Sequence, residues 1–252
     1  MRKLVAALAC RVQGTRLYGK PVQNLITGKT ILDQILDTVE KLESIDTAVL
    51  GISEGIENQV FVDVAKARGI PYVFGDEADV LSRLIACGRV AAATDVFRVT
   101  TECPFLYWEP FEDAWKNHVE KGNDVTTTDG LPEGAHFEIY TMSALETSHE
   151  RGTKLHRSEH CSSYIRENRS EFQVEIIEPA NEYARMDLRL TVDYPEDLVI
   201  CRKVYEALCQ KAPLIPLSDI IRFLDARPEL KKLVEPYVVE DRIWPSLKES
   251  RV

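Results

Sequence analysis

The stretch "KLVAALACRVQGTRLYGKPVQNL", Lys3 to Leu25, decides the reading of the fold. It opens on "KLVAALA", an apolar run of strand length that stops at a polar segment, the pattern of a buried strand. Beyond it comes "TILDQILDTVEKL", residues 30–42, where Ile31, Ile35, Leu36, Val39 and Leu42 recur at helical spacing behind the capping residue Thr30. The link between them holds Arg11, Arg16 and Lys20 together with Gly14 and Gly19. Strand, short link and helix form the first unit of a parallel α/β sheet. In such sheets ligands sit beyond the carboxyl ends of the strands.

The same alternation continues outward. "TAVLGIS", "IPYVFGD" and "DVFRVT" read as strands, with "ENQVFVDVAKARG" and "DVLSRLIACGRVAAA" as the helices between them. In the first of these helices Val60, Val64 and Ala67 are expected on the buried stripe, with Gly69 closing it. Parallel βαβ units with right-handed crossovers and helices on both faces follow. The second half is less regular. "PFEDAWKNHVEKG" reads as a helix, "DVTTT" and "HFEIYTM" as strands, and "SALETSHERG" as a helix starting at Ser143 with Glu146 three residues on. "SEHCSSYIRENR" is expected as one helix, "FQVEIIEP" and "LRLTVD" as strands, and "PEDLVICRKVYEALCQ" as a helix with Pro195 in its first turn. "PLSDIIRFLDARPELKKLV" reads as two short helices broken at Pro228. The expected architecture is a Rossmann-like, mostly parallel sheet flanked by helices, with a smaller antiparallel portion, in a single domain over 1–252.

Bulk properties narrow the ligand. The 252 residues are 44% hydrophobic and 29% charged, which is ordinary for a soluble globular chain able to bury a core. A net charge of -10 argues against a nucleic-acid surface, so the cations after the first strand are a local concentration. Cys10, Cys87, Cys103, Cys161, Cys201 and Cys209 include no Cys-x-x-Cys pair and no zinc spacing, and read as reduced, mostly buried thiols. The opening apolar run is too short for a signal peptide or a membrane span. A cytoplasmic protein without membrane or nucleic-acid partners is expected.

Gly14 and Gly19 let the backbone turn sharply and approach a ligand closely. Freed backbone N–H groups in such a turn point at phosphate oxygens. Arg11 and Arg16 can fork onto those oxygens, and Lys20 adds a compact point charge. Three cations on one turn repel each other unless an anion neutralises them. The loop therefore reads as a polyphosphate site, against the plain alternative of a solvated basic loop. It is neither a P-loop nor the dinucleotide fingerprint.

"RVQGTRLYGKPVQNL" resembles the signature of the cytidylyltransferases typified by spore-coat polysaccharide synthesis proteins, a family similar to the CMP-sugar-acid synthetases. The resemblance continues through "FGDEADVLSRL", "FRVTTECPFL", "HRSEHCSSYI" and "LRLTVDYPEDL", in order over most of the chain. Two departures stand out: Tyr18 where the family usually has proline, and Glu102 where it usually has aspartate.

The resemblance implies transfer of CMP from CTP to a small acceptor, a sugar acid or related sugar or phosphate, with pyrophosphate leaving, for surface glycan synthesis. It divides the chain into a nucleotide-binding half (1–125), an acceptor and dimerisation insertion (126–180) and a return to the core (181–252). Arg11, Arg16 and Lys20 would be catalytic, and Cys10, Gly14, Thr15, Asp79 and Arg83 would join them around the nucleotide. Glu102 and Asp193 would hold Mg2+, whose preference is for oxygen ligands. Glu138, Glu159 and His160 would face the acceptor, and a homodimer is implied.

Read on their own, several of these residues keep a second role. Glu102 can cap the turn at Cys103, Asp193 can cap the Pro195 helix, and Asp79 with Arg83 can be an i, i+4 ion pair. Asp76 and Glu77 read as turn residues, and Glu196 with Asp197 as acids serving the first turn of the Pro195 helix. Arg98 can meet a buried carboxylate or the ligand, His160 can be a satisfied structural histidine, and Glu138 can be a wall residue. Phe137, Ile139 and Tyr140 read as exposed apolar positions compatible with an interface. Two rival functions stand beside the main one: the same chemistry with another NTP or on a phosphate or phosphonate acceptor, and a silent nucleotide-binding module.

Overall fold

Strand β1 (Leu4–Cys10) is apolar on both faces, and that places it at the centre of a two-sided molecule. A computed structural model describes residues 2–239 and 242–244. Leu4, Ala6, Leu8 and Cys10 point into one core, which is covered by α1 (Ile31–Glu40) and α2 (Gln59–Arg68). The later helices α8 (Pro195–Leu208) and α9 (Leu217–Asp225) cover the same side. Val5 and Ala7 point into the other core, under α3 (Val80–Val90) and α5 (Met142–Arg151). Alternate residues on opposite faces are what a strand's period of two requires.

The remaining strands are β4 (Ile45–Ser53), β5 (Tyr72–Gly75), β6 (Asp95–Thr100), β7 (Val125–Thr128), β8 (Glu138–Thr141) and β9 (Val174–Ile177). Among the described residues they join β1 in a seven-stranded sheet of order β5-β4-β1-β6-β8-β7-β9. Only β8 runs antiparallel to its neighbours β6 and β7. A small antiparallel pair, β2 (Asn24–Ile26) and β3 (Lys29–Thr30), leads into α1. Thr30 caps α1 as expected: its hydroxyl accepts from the Asp33 N–H, and the Asp33 carboxylate answers to the Thr30 N–H. α4 (Phe111–Lys121) packs beside β7, and the short helix α10 (Pro228–Val234) follows the break at Pro228.

Five expectations of local structure are corrected. The buried face of α2 is Phe61, Val62 and Ala65, while Val60 and Ala67 are exposed and Val64 is half-buried. The large Phe61 ring wins the core. α5 is capped by the Thr141 hydroxyl, which accepts from the Ala144 N–H at 3.1 Å, so Ser143 lies inside the first turn. The run 158–169 is not one helix: α6 (Lys154–Arg157) ends at its start and α7 (Ser163–Glu167) follows after a turn. "LRLTVD" is extended but has no ladder. Leu188 to Val192 are all buried, Arg189 and Thr191 included, and among the described residues a single bridge joins Arg189 to Glu133. Finally, Phe137, Ile139 and Tyr140 are core residues, at most 1% exposed, because β8 is an interior strand of the sheet.

Candidate active site

A cleft of about 740 Å³ opens at the carboxyl ends of β1 and β6. Arg11, Gly14, Thr15, Arg16 and Lys20 form one wall, and Glu102 and Asp193 the floor beside it. Glu138, Glu159 and His160 stand across from them. The loop after β1 is closed by the Gly19 N–H donating to the Val12 carbonyl at 2.7 Å. Gly19 has φ +62°, and a Cβ on Gly14 would fall 2.3 Å from the Leu17 carbonyl oxygen, so both turns require glycine.

Two of the three loop cations converge. Lys20 Nζ donates to Asp193 Oδ1 at 2.6 Å, and Arg16 Nη2 donates to the same oxygen at 3.1 Å. Asp193 Oδ2 lies 3.6 Å from Arg189 Nη2. Arg11 lies apart from this cluster, 3.5 Å from the Glu77 carboxylate and 3.6 Å from that of Glu159. Arg16 is held in place by Tyr194: its guanidinium sits 4.8 Å from the ring centroid and donates to the phenol oxygen at 3.3 Å. Tyr194 in turn stacks on Tyr237 at 3.9 Å and 10°.

Glu102 reaches the floor because the Val192 N–H donates to its carbonyl at 2.9 Å, which sets the residues after β6 beside those before α8. Burial pushes the Glu102 carboxyl up, and the neighbouring Asp193 charge adds to this against the pull of Lys20. Neither alternative role is taken. The turn at Cys103 is closed by its own N–H on the Thr100 carbonyl. Tyr194, not Asp193, is the cap residue of α8, and the N–H groups of Asp193 and Tyr194 both donate to the Asp197 carboxylate at 2.9 Å. Asp197 is thus more than a first-turn charge: it is fully buried and paired with buried Arg189 at 3.0 Å.

The other residues placed around the nucleotide by resemblance divide. The Cys10 thiol is buried in the core, and only its carbonyl turns toward the site. Asp79 caps α3 and pairs with His149 at 2.8 Å. Arg83 lines the cleft, but its Nη1 is committed to the carbonyls of Cys10 and Gly51 at 3.1 and 3.0 Å. No Asp79–Arg83 ion pair forms among the described residues. Asp76 is a turn residue, as expected, its carboxylate accepting from the N–H groups of Ala78 and Asp79. Tyr18 projects into solvent at 61% exposure and takes no part in the cleft, so that departure leaves the site intact.

On the far side Arg98 takes the first of the two roles its sequence position allows, pairing with a buried carboxylate. Its Nη1 donates to Glu138 at 2.6 Å and its Nη2 to the Glu159 carbonyl at 3.0 Å, while the side chain lines the cleft. Burial pushes the Glu138 carboxyl up, but the Arg98 charge together with the hydrogen bonds from Arg98, Tyr140 and Trp244 outweighs it and holds Glu138 below the usual carboxylate range. His160 is exposed at the rim, which rules out a buried structural role. Sequence reasoning missed Arg189, Tyr194 and Trp244. Tyr194 and Arg189 flank Asp193 in the quoted motif, and that adjacency was the available signal. Trp244 had none.

Residues 5–222 match the family model described as Cytidylyltransferase. The chain belongs to the cytidylyltransferase family. A spore coat polysaccharide biosynthesis protein of Bacillus subtilis is 23% identical over 234 residues, covering 91% of this chain and 97% of its own. Among solved structures, a cytidylyltransferase from Leptospira borgpetersenii superposes with a TM-score of 0.82 at 21% identity, over 91% of this chain and 97% of that one. A CMP:2-keto-3-deoxy-manno-octonic acid synthetase complexed with CTP superposes with a TM-score of 0.63 at 12% identity, over 81% of this chain and 99% of that one. These likenesses show a shared fold, and membership makes the chain a nucleotidyltransferase. No helix among the described residues is long and apolar enough to cross a membrane.

Proposed function

We propose that this cytidylyltransferase binds CTP with its β- and γ-phosphates on Arg16 and Lys20 and transfers CMP to an oxygen of a small sugar acid or related acceptor, for surface polysaccharide synthesis. The observation that carries the reading is the convergence of Arg16 and Lys20 on Asp193 Oδ1, beside Glu102, at the open end of the sheet. An acceptor oxygen attacks the α-phosphorus, the bond to the β-phosphate oxygen breaks, and pyrophosphate leaves. A hydroxyl acceptor gives up its proton to solvent; a carboxylate or phosphate acceptor has none to lose. Arg16 and Lys20 stabilise the charge that builds on the leaving oxygens. Arg11, on the same wall but apart from that pair, reaches toward the Glu159 carboxylate and closes over the nucleotide from there.

The donor set fits a divalent cation. Glu102 and Asp193 are two carboxylates on adjoining segments, and Glu102 is held with a raised proton affinity that a bound cation would relieve. When bound, Mg2+ would screen the triphosphate and make the α-phosphorus more electrophilic. Glu102 and Asp193 would hold it, with Arg189 keeping Asp193 oriented. The relatives named above bring CTP and spore-coat polysaccharide to this reading.

The direct test incubates the purified protein with Mg2+, each of the four NTPs and a panel of sugar acids and sugar phosphates, and measures pyrophosphate. Release with CTP and at least one sugar acid is expected. CTP binding without release for any acceptor would leave a binding module instead, and release with GTP or UTP alone would overturn the choice of base.

A further inference from the structure

The segment Arg242–Trp244 lies outside residues 5–222 of the family match, yet Ile243 and Trp244 both line the cleft. It is fastened along its length. The N–H groups of Ile243 and Trp244 donate to the two oxygens of Asp129 at 3.1 and 2.9 Å. Arg166 donates to the Ile243 carbonyl at 2.9 Å, and Arg242 forks onto Glu178 at 2.7 and 2.9 Å. The Trp244 indole is 1% exposed, and its N–H donates to Glu138 Oε1 at 3.3 Å while Arg98 holds Oε2. Asp129 follows β7, and β7 stands three strands from β1 in the sheet. At the usual strand spacing the segment is about 14 Å from the phosphate loop.

We propose that Arg242–Trp244 is a strap forming the end wall of the acceptor pocket. Ile243 sets the length of acceptor that fits, and Trp244 is a positioning residue that fixes Glu138 and, through it, the Arg98 guanidinium that meets an acidic acceptor. The proposal rests on the transferase reading above. It follows from geometry: a cleft with phosphate-binding cations at one end is closed at the other by two apolar side chains whose backbone N–H groups are both held by Asp129, with the Ile243 carbonyl held by Arg166. Nothing in the family motifs supplies that wall.

The test uses the full chain, methyl-labelled at isoleucine and loaded with Mg2+ and the α,β-methylene analogue of CTP, which cannot turn over. It is titrated with a graded series of sugar acids, pentonic to nonulosonic. The Ile243 methyl, assigned through Ile243→Val, is expected to shift with the acids that bind. In turnover with CTP, Ile243→Trp is expected to lower kcat/KM for the longest accepted acid about tenfold or more and to spare the shortest. Trp244→Phe keeps the bulk and loses the indole N–H, and is expected to raise the acceptor KM while leaving kcat and CTP affinity near the parent's. Ile243 is 37% exposed, so its replacement does not endanger folding even where a Trp244 variant fails. A silent Ile243 methyl, or an equal effect of Ile243→Trp on every acid, would overturn the strap. Pyrophosphate release with such flat profiles would overturn the strap alone. No release with any acid would overturn the transferase reading, and the methyl titration would still decide the strap.

Discussion

Asp193 is bound to Lys20 and Arg16, the two cations proposed to hold the triphosphate. Its Oδ1 accepts from both, so on that reading the carboxylate stands where phosphate oxygens would. Nucleotide binding would then have to break two charge-assisted contacts, leaving the carboxylate to face Glu102. Two effects of opposite sign follow for Asp193→Asn. In chelator, CTP is expected to bind about tenfold or more tighter, because the single competing charge shared by both contacts is gone. In Mg2+, turnover is expected to collapse. Titration calorimetry with and without chelator reads the first, and weaker CTP binding in chelator would contradict the counterion role. Glu102 carries a second test. Its folded carboxyl binds protons more tightly than the unfolded one, so stability is fully present at low pH and is lost as pH rises through the raised folded value. Glu102→Gln is expected to raise Tm of the metal-free protein at neutral pH, by about 2–4 °C per kcal/mol recovered, while abolishing transfer. A Tm at or below the parent's would contradict that burden.

At the scale of elements, the first turn of α8 organises the floor of the site. Arg189 is 4% exposed and meets Asp197, Glu133, the Tyr237 carbonyl and Asp193. Asp197→Ala would leave that guanidinium buried with its fully buried partner gone, and a loss of about 3–5 kcal/mol in urea unfolding is expected. A loss under 1 kcal/mol would mean that Glu133 and Asp193 suffice. This hub also shows where sequence reading stops. Leu188, Leu190 and Val192 are buried, but so are Arg189 and Thr191 between them, and among the described residues only Glu133 offers a bridge. An apolar alternation marks some buried side chains; it reports neither the burial of the polar residues between them nor their hydrogen-bond partners. Thr30 was legible for the opposite reason, since a cap is settled within three residues.

At the scale of the molecule, the alternation of strand and helix through residue 100 was legible in the sequence, and the order of strands along the chain placed Glu102 at the edge that carries Arg16 and Lys20; Asp193 came to that edge only by family resemblance. Sheet order brings the four together, because β1 and β6 are neighbours and the 188–193 segment crosses beside them. The insertion of β8 between β6 and β7 was not legible, as strand order depends on long-range pairing. It turned Phe137, Ile139 and Tyr140 from surface into core and removed the interface argument built on them. The strap was invisible because Trp244 joins Glu138 across 106 residues of chain.

The measurement that bears most directly on this account is CTP affinity in Mg2+ for the parent and for a folded Lys20→Ala variant. One lost charge-assisted contact to phosphate is expected to weaken binding by roughly ten- to a hundredfold with little change in Tm. Undiminished affinity in that variant would mean that the loop after β1 does not hold the triphosphate.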